Sequence, residues 1–431
     1  MDTREGLGVP IGLRAPGSST DLLIAGANGV PPEATAVVLN ATITESVGAG
    51  FVQLFPTGNG TPGASSNLNV PGPHSTIANL VIVPIGTNGS VTFFNHAGGH
   101  LVADLFGYFL PADSSTSGRF VGLSAPNRVL DTRDPLKVPI ANPGNAVNCG
   151  DFATWLEANG WFWTYKRHGD PAGLDGDNDD VPCESLPGNP GYPVAPVDLF
   201  KIIPAVTYRL PILSSATPAG GVIPSGATGV VMNVTAVETA GPGFLQVYND
   251  DSVKAKSSNL NFNTNDIAPN LVVVPIGADG SIKLYVHSAA HVVVDVVGYF
   301  TGTNSPSNAQ GLFVPFAPDR LIDTRDLGGP LPVQTLRDMN VAELAGIDQS
   351  AMSAMFMNAT IAGSLSAGYL QAFPAGLSSP GASSNVNVTA AGQIRPNAVI
   401  TGVNAGQVSV FLHSGGHFIL DAAGYFTSGT T

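Results

Sequence analysis

Three copies of one decapeptide constrain this chain more than any other feature. They read HLVADLFGYF at His100–Phe109, HVVVDVVGYF at His291–Phe300 and HFILDAAGYF at residues 417–426. In each copy a His and an Asp lie four residues apart, apolar residues stand between them, and Gly-Tyr-Phe closes the unit. A further histidine precedes each copy by four residues, at His96, His287 and His413. On a strand, residues i, i+2 and i+4 share a face, so His291, Val293 and Asp295 point the same way. A helix would also bring i and i+4 together. The β-branched run at 292–294 and the closing Gly-Tyr-Phe favour a strand.

Other polar residues recur in step with the decapeptide. Asp2-Thr3-Arg4 returns as Asp131-Thr132-Arg133 and Asp323-Thr324-Arg325, and Asn40 with Thr42 returns as Asn233 with Thr235 and Asn358 with Thr360. Gln53, Gln246 and Gln371 follow, then Ser-Ser-Asn at 65–67, 257–259 and 383–385, then Asn79, Asn270 and Asn397. The Asn-Gly, Asp-Gly and Ala-Gly pairs that end at Gly89, Gly280 and Gly406 give hairpin signals before three further apolar runs. With 52 Gly, 35 Pro and only 11% charged residues, the composition suits short strands joined by many turns. Counting the segments gives about seven strands per repeat, the number of an antiparallel sandwich. The expected fold is mainly β, with three tandem antiparallel β-sandwich-like modules separated by Ser/Thr/Asn-rich linkers at 111–118 and 301–310. Module 1 spans 1–110, module 2 spans 118–143 and 187–301, and module 3 spans 311–427.

The first module begins abruptly. An entering strand precedes the later Asp-Thr-Arg triplets (FVGLSAPNRVL before Asp131, FVPFAPDRLI before Asp323), whereas Asp2 has only Met1 before it. Either that strand, with a signal peptide, lies upstream of this start, or another molecule supplies it by strand addition. An unpaired edge is an aggregation hazard, which favours the first reading.

Module 2 is interrupted between 138 and 211 by sequence of a different kind, which holds both cysteines and all three tryptophans. Within it, 144–186 is expected to be a helix-plus-calcium-loop minidomain. Asp151 offers an N-cap for a short helix carrying Phe152, Trp155 and Leu156, with a stop at Asn159-Gly160. Asp175-x-Asp177-x-Asp179 then places three carboxylates at alternate positions, as the first half of an EF-hand loop does around calcium. The backbone carbonyl of Val181 and the carboxylate of Glu184 would complete the shell in a loop shorter than an EF-hand. Cys183, immediately before Glu184, suggests a bridge to Cys149 that clamps the loop to the helix. A solvated acidic turn without metal is the plainer alternative.

Here the chain resembles a known family. Asp-x-Asp-x-Asp-x-x-x-Cys-Glu, with an upstream Asn-Cys and the lead-in Gly-Asp-Pro-x-Gly-Leu-Asp, is similar to the excalibur domain, over about 148–186. That family is a small extracellular calcium-binding region of bacterial surface and secreted proteins. The resemblance implies that Asp175, Asp177, Asp179 and Glu184 are calcium ligands and that Cys149 and Cys183 form a disulfide. The family usually has Gly where this chain has Asp180, a residue that tolerates left-handed backbone. The flanking repeats are similar to modules appended to secreted actinobacterial proteins, which implies a compartment and no chemistry.

The His/His/Asp sets invite a zinc or hydrolase reading, but no nucleophile recurs beside them. His100 with Asp104, His291 with Asp295 and His417 with Asp421 are instead expected to be structural hydrogen-bonded pairs. The recurring amides have a scaffold use or, beside Tyr248, Tyr285 and Tyr369, a carbohydrate-binding one. A formal net charge of −14 argues against nucleic acid and anionic membranes as partners, and no apolar run reaches the length of a membrane span. The functional expectation is a non-enzymatic, extracellular or cell-surface calcium-binding protein. It would act in binding or adhesion, toward envelope or matrix polysaccharide or another surface protein. A calcium-stiffened stalk or surface-lattice component is the alternative.

Overall fold

The computed structural model describes residues 1–111, 117–133, 142–191, 207–213, 223–249, 258–305, 309–377, 379–381 and 383–429. Residues 112–116 of the first linker, 306–308 of the second, and the return from the insertion at 192–206 lie outside them. The first repeat forms β1 (Ser18–Leu23), β2 (Ala36–Thr44), β3 (Gly50–Pro56), β4 (Leu68–Val70), β5 (Ile77–Pro84), β6 (Ser90–Asn95) and β7 (His100–Phe109). The second opens with β8 (Phe120–Asp131) and, after the insertion with its helix α1 (Trp155–Tyr165), continues as β9 (Thr207–Pro211), β10 (Gly229–Val237) and β11 (Gly243–Asn249). It closes with β12 (Leu260–Phe262), β13 (Ala268–Pro275), β14 (Ser281–Val286) and β15 (His291–Phe300). The third holds β16 (Gln310–Asp323), β17 (Thr335–Asn340), β18 (Met352–Ala362), β19 (Gly368–Pro374), β20 (Val386–Val388), β21 (Ile394–Gly402), β22 (Gln407–Leu412) and β23 (His417–Ser428).

Each repeat builds two antiparallel sheets. The outer ones have strand orders β1-β6-β3-β4, β12-β11-β14-β9 and β17-β22-β19-β20. The inner ones are β5-β2-β7, β13-β10-β15-β8 and β16-β23-β18-β21. Within a repeat the facing sides share one core, as Met232, Val234, Leu245, Leu284 and Val294 do in the second. The opposite sides of the inner sheets are apolar as well. Val38, Ile82, Val231, Leu271, Phe356 and Ile400 meet with Phe120, Phe313 and Phe426 in a central cluster drawn from all three repeats. The central strand β10 is therefore buried at every position rather than alternately.

This second buried face corrects the expectation of three tandem sandwich modules in a row: the six sheets form a propeller-like ring. Three separate sandwiches would leave those faces in water, and fully burying each large apolar side chain is worth roughly 1.5–3 kcal/mol. Recurring asparagines lock the closure. Asn233 donates to the Ser384 carbonyl (2.7 Å), Asn358 to the Ser66 carbonyl (2.6 Å) and Asn40 to the Ser258 carbonyl, so each repeat binds the next and the third returns to the first. A second set completes the circuit: Asn79 donates to Asn358 (2.9 Å), Asn270 to Asn40 (3.1 Å) and Asn397 to Asn233 (3.0 Å). The Oδ1 atoms of Asn270, Asn397 and Asn79 accept from the backbone N–H of Leu80, Leu271 and Ala398. Buried amides satisfied on both ends make the arrangement specific.

Helix α1 also departs from expectation. Thr154 is its N-cap, in a capping box with Glu157, and the helix runs through Asn159-Gly160 to Tyr165. Asp151 instead ends a short 3-10 turn capped by Asn148. The capping box sets the start, and Phe162, buried on Ala158 and Leu174, carries the helix past the glycine.

Candidate metal centre and axial pocket

The acidic loop is held at both ends before any ligand is considered. The Cys149–Cys183 disulfide closes it onto the start of the helical segment, with Cα atoms 5.4 Å apart. The Cys183 N–H donates to the Leu174 carbonyl at 2.8 Å, and Leu174 and Cys183 sit in the small core with Phe162. Between these pins the chain turns tightly, with Asn178 at φ 62° and Asp180 at φ 69°. Asp180 thus takes the left-handed conformation that its position demands. Its carboxylate turns to Lys166, whose ammonium also lies 4.4 Å from the Phe162 ring centre, so Asp180 faces away from the loop's centre.

Asp175, Asp177 and Asp179 converge: one carboxylate oxygen from each lies within 4.8 Å of the others. Asp175 is buried and accepts from the N–H groups of Asp179 (3.2 Å) and Asp180 (3.0 Å), while Asp179 accepts from the Val181 N–H (2.9 Å). Glu184 stands outside that close group, but Asp177 first, then partial desolvation, Asp179 and Asp175 push its carboxyl above the usual range. The donor set is all hard oxygen with one sign of charge, which fits a cation such as calcium or magnesium. Among the described residues this is the one cluster of the metal-holding kind.

The histidines and aspartates of the decapeptides take separate partners. His100 and His291 meet Thr3 (3.0 Å) and Thr132 (2.9 Å) through Nδ1. His96, His287 and His413 stack on Phe51, Phe244 and Tyr369, with centroids 4.8, 5.1 and 4.8 Å apart. Asp295 receives two bonds from Arg128 (2.9 and 3.1 Å), and Asp421 two from Arg320 (2.8 and 3.3 Å). The expected His–Asp hydrogen bond forms in none of the three copies: His100 and His291 turn to threonines, the His417 Nδ1 has no hydrogen-bonding partner among the described residues, and Asp295 and Asp421 pair with arginines that the preceding strand brings opposite them across the ladder. Asp104, in the repeat without that strand, has no hydrogen-bonding partner among the described residues. Burial pushes it up to about 6. The Asp-Thr-Arg triplets are ion pairs at strand ends, 2.6, 2.7 and 2.5 Å long.

One feature was invisible in the sequence. Where β5, β13 and β21 begin, the three repeats enclose a cavity of about 580 Å³ lined by Asn69, Thr76, Asn261, Asp266, Gln393 and Arg395 among others. Arg395 of the third repeat bonds Asp266 of the second at 3.0 Å. At the matching places the other repeats have Ile77 and Ala268, so this end of the ring is asymmetric. Segments within 49–78, 261–269 and 391–396, far apart along the chain, make the cavity, and no local pattern announces it. Among the described residues no helix is long and apolar enough to cross a membrane.

No protein-family model and no curated protein matches the chain. Among solved structures it is similar to one titled "The Triple Jelly Roll Fold and Turret Assembly in an Archaeal Virus", at 8% identity over 96% of this chain and 85% of that one. With a TM-score of 0.17, that likeness carries no inference about this chain.

Proposed function

We propose that this is an extracellular or cell-surface calcium-binding protein, with an excalibur-like minidomain set into a β ring that binds envelope or matrix polysaccharide. The observation that carries the reading is the convergence of Asp175, Asp177 and Asp179 in a disulfide-clamped loop, with Glu184 raised by their charge. A divalent cation there removes the mutual repulsion of four carboxylates and draws the loop onto the helix. A disulfide is what an oxidising compartment permits, which supports the location. The axial cavity supports the ligand class. Its amides, hydroxyl and Arg395–Asp266 pair offer the mixed donors and acceptors that sugar hydroxyls require.

Calcium titration of the whole protein, followed by tryptophan fluorescence, tests the first part. Binding at roughly 10⁻⁴–10⁻³ M is expected, with Asp177→Ala abolishing the response. A flat response at about 10 mM calcium would refute it. A glycan array with the wild type and Arg395→Ala tests the second part. Calcium binding without glycan binding would favour the structural surface-lattice role.

A further inference from the structure

The axial cavity is closed at its floor. Its walls run down the starts of β5, β13 and β21 as far as Ala78, Pro269 and Pro396. The next residue of each strand is a circuit asparagine, Asn79, Asn270 or Asn397, and each is only 1% exposed. Each donates to an asparagine of another repeat, so the three side chains tie the repeats together directly below the walls. Leu80, Leu271 and Ala398 follow in the central apolar cluster, which fills the ring beneath them. The described residues therefore enclose a pit with one mouth rather than a through-channel, and a polymer cannot thread it.

Among the described residues the charged side chains of the wall are Arg395 and Asp266, and they neutralise each other. Arg395 donates to Asp266 Oδ1 (3.0 Å) and to the Ile267 carbonyl, while the same Oδ1 accepts from the Ile267 N–H (2.9 Å). The Asp266 side chain is 11% exposed and that of Arg395 26%, so parting them would strand a poorly solvated charge. An anionic ligand would have to draw Arg395 away from Asp266, against a formal net charge of −14 on the chain. A neutral ligand meets neither cost. The rest of the wall mixes the amides of Asn69, Asn261 and Gln393 with aliphatic Ile77 and Ile394, which suits the alternating hydroxyls and C–H faces of a sugar ring.

Resting on the polysaccharide reading above, we infer that the pit binds the terminal residue of a neutral glycan chain end-on, and takes neither internal residues nor acidic sugars. An internal sugar carries chain on both sides, and a pit with one mouth leaves room for a single continuation. The Arg395–Asp266 pair sets donor and acceptor side by side for adjacent sugar hydroxyls: the guanidinium has N–H groups beyond the two that bond Ile267 and Asp266. The pair occurs once in the ring, with Ile77 and Ala268 at the matching places, so it fixes one seat against one wall rather than three related by symmetry.

The test titrates the full chain, followed by saturation-transfer NMR, with methyl glycosides of neutral hexoses, pentoses and 6-deoxyhexoses and with the matching methyl uronides. Saturable binding of at least one neutral glycoside is expected, and short and long oligosaccharides ending in that sugar should bind within about threefold of each other per chain. Ile77→Arg, which crowds the pit from its wall, should weaken the glycoside about tenfold or more. Should that variant fail to fold, Ala391→Trp at the exposed rim takes its place, with the same expectation. The inference is overturned by no saturable binding of any neutral glycoside at about 50 mM, by tighter binding of a uronide, by affinity that rises about tenfold or more with oligosaccharide length, or by unchanged binding in the pit-crowding variant. Polysaccharide binding on the glycan array alongside any of these results leaves the polysaccharide reading standing and removes only chain-end recognition. Silence of both the array and the glycosides removes both.

Discussion

Asp104, Asp295 and Asp421 occupy one position of one motif, yet their surroundings set opposite consequences for stability. Burial raises all three carboxyls, but Arg128 and Arg320 oppose it at Asp295 and Asp421. At Asp104 the N-terminal ammonium and Arg4 act only through space, and the group reaches about 6. A carboxyl raised in the folded state binds its proton more tightly there than in the unfolded chain. Its contribution to stability is therefore greatest below about pH 4 and is lost as pH rises through about 6. Asp104→Asn should raise stability at pH 7.5 by up to about 2–3 kcal/mol and by almost nothing at pH 4, as read by urea titration at both values. Asp295→Asn, which breaks a paired arrangement, should lower stability by about 1–3 kcal/mol at pH 7.5. Equal effects of the two substitutions would remove the distinction between the paired and unpaired edges.

At the scale of elements, the inserted minidomain is built apart from the ring. Its core is its own, made of Ala158, Phe162, Leu174 and the disulfide, and it holds Trp155, Trp161 and Trp163, the only tryptophans in the chain. Tryptophan emission thus reports this element alone. The bridge closes a separation of 34 residues, worth about 3–4 kcal/mol in the chain-entropy model. Reduction, or Cys149→Ser with Cys183→Ser, should red-shift the tryptophan emission and weaken calcium binding while the β-sheet circular dichroism stays unchanged. Loss of the sheet signal on reduction would show that the ring depends on the insertion. The strands tell a complementary story, since β7 and β15 share sequence but only β15 is flanked on both sides and buried along most of its length.

At the scale of the molecule, the asparagine circuit and the central cluster make the three repeats one body. Asn270 donates to the Asn40 side chain and the Asn259 carbonyl and accepts from the Leu80 N–H. Asn270→Ala leaves three buried partners unsatisfied, at about 1–3 kcal/mol each, so a total loss above about 3 kcal/mol is expected. The ring should unfold in urea as a single transition by both circular dichroism and tyrosine fluorescence. A fragment of residues 311–427 should fail to form a stable monomer, because Phe313, Phe356, Ile400 and Phe426 would face water. A well-folded monomeric fragment would show that the repeats are independent after all.

The sequence alone determined the strands, the hairpins, the threefold repetition and the convergence at Asp175, Asp177 and Asp179, because each depends on residues close together in the chain. Asp180 shows how far such reading goes: one residue's tolerance of positive φ could be judged without coordinates. Closure could not be judged that way. The apolar run of β10, Val-Val-Met-Asn-Val, reads as a buried strand, but only tertiary structure shows that its second face meets two other repeats rather than solvent. Asn40 and Asn270 are 230 positions apart, so their bond rests on how the inner sheets curve toward one another. The same holds for Asp295, paired with Arg128 rather than with the histidine four residues away, since a ladder partner across a sheet outranks a neighbour along the strand. Local pattern fixed what each segment is, and the burial of the remaining apolar faces decided where each one sits.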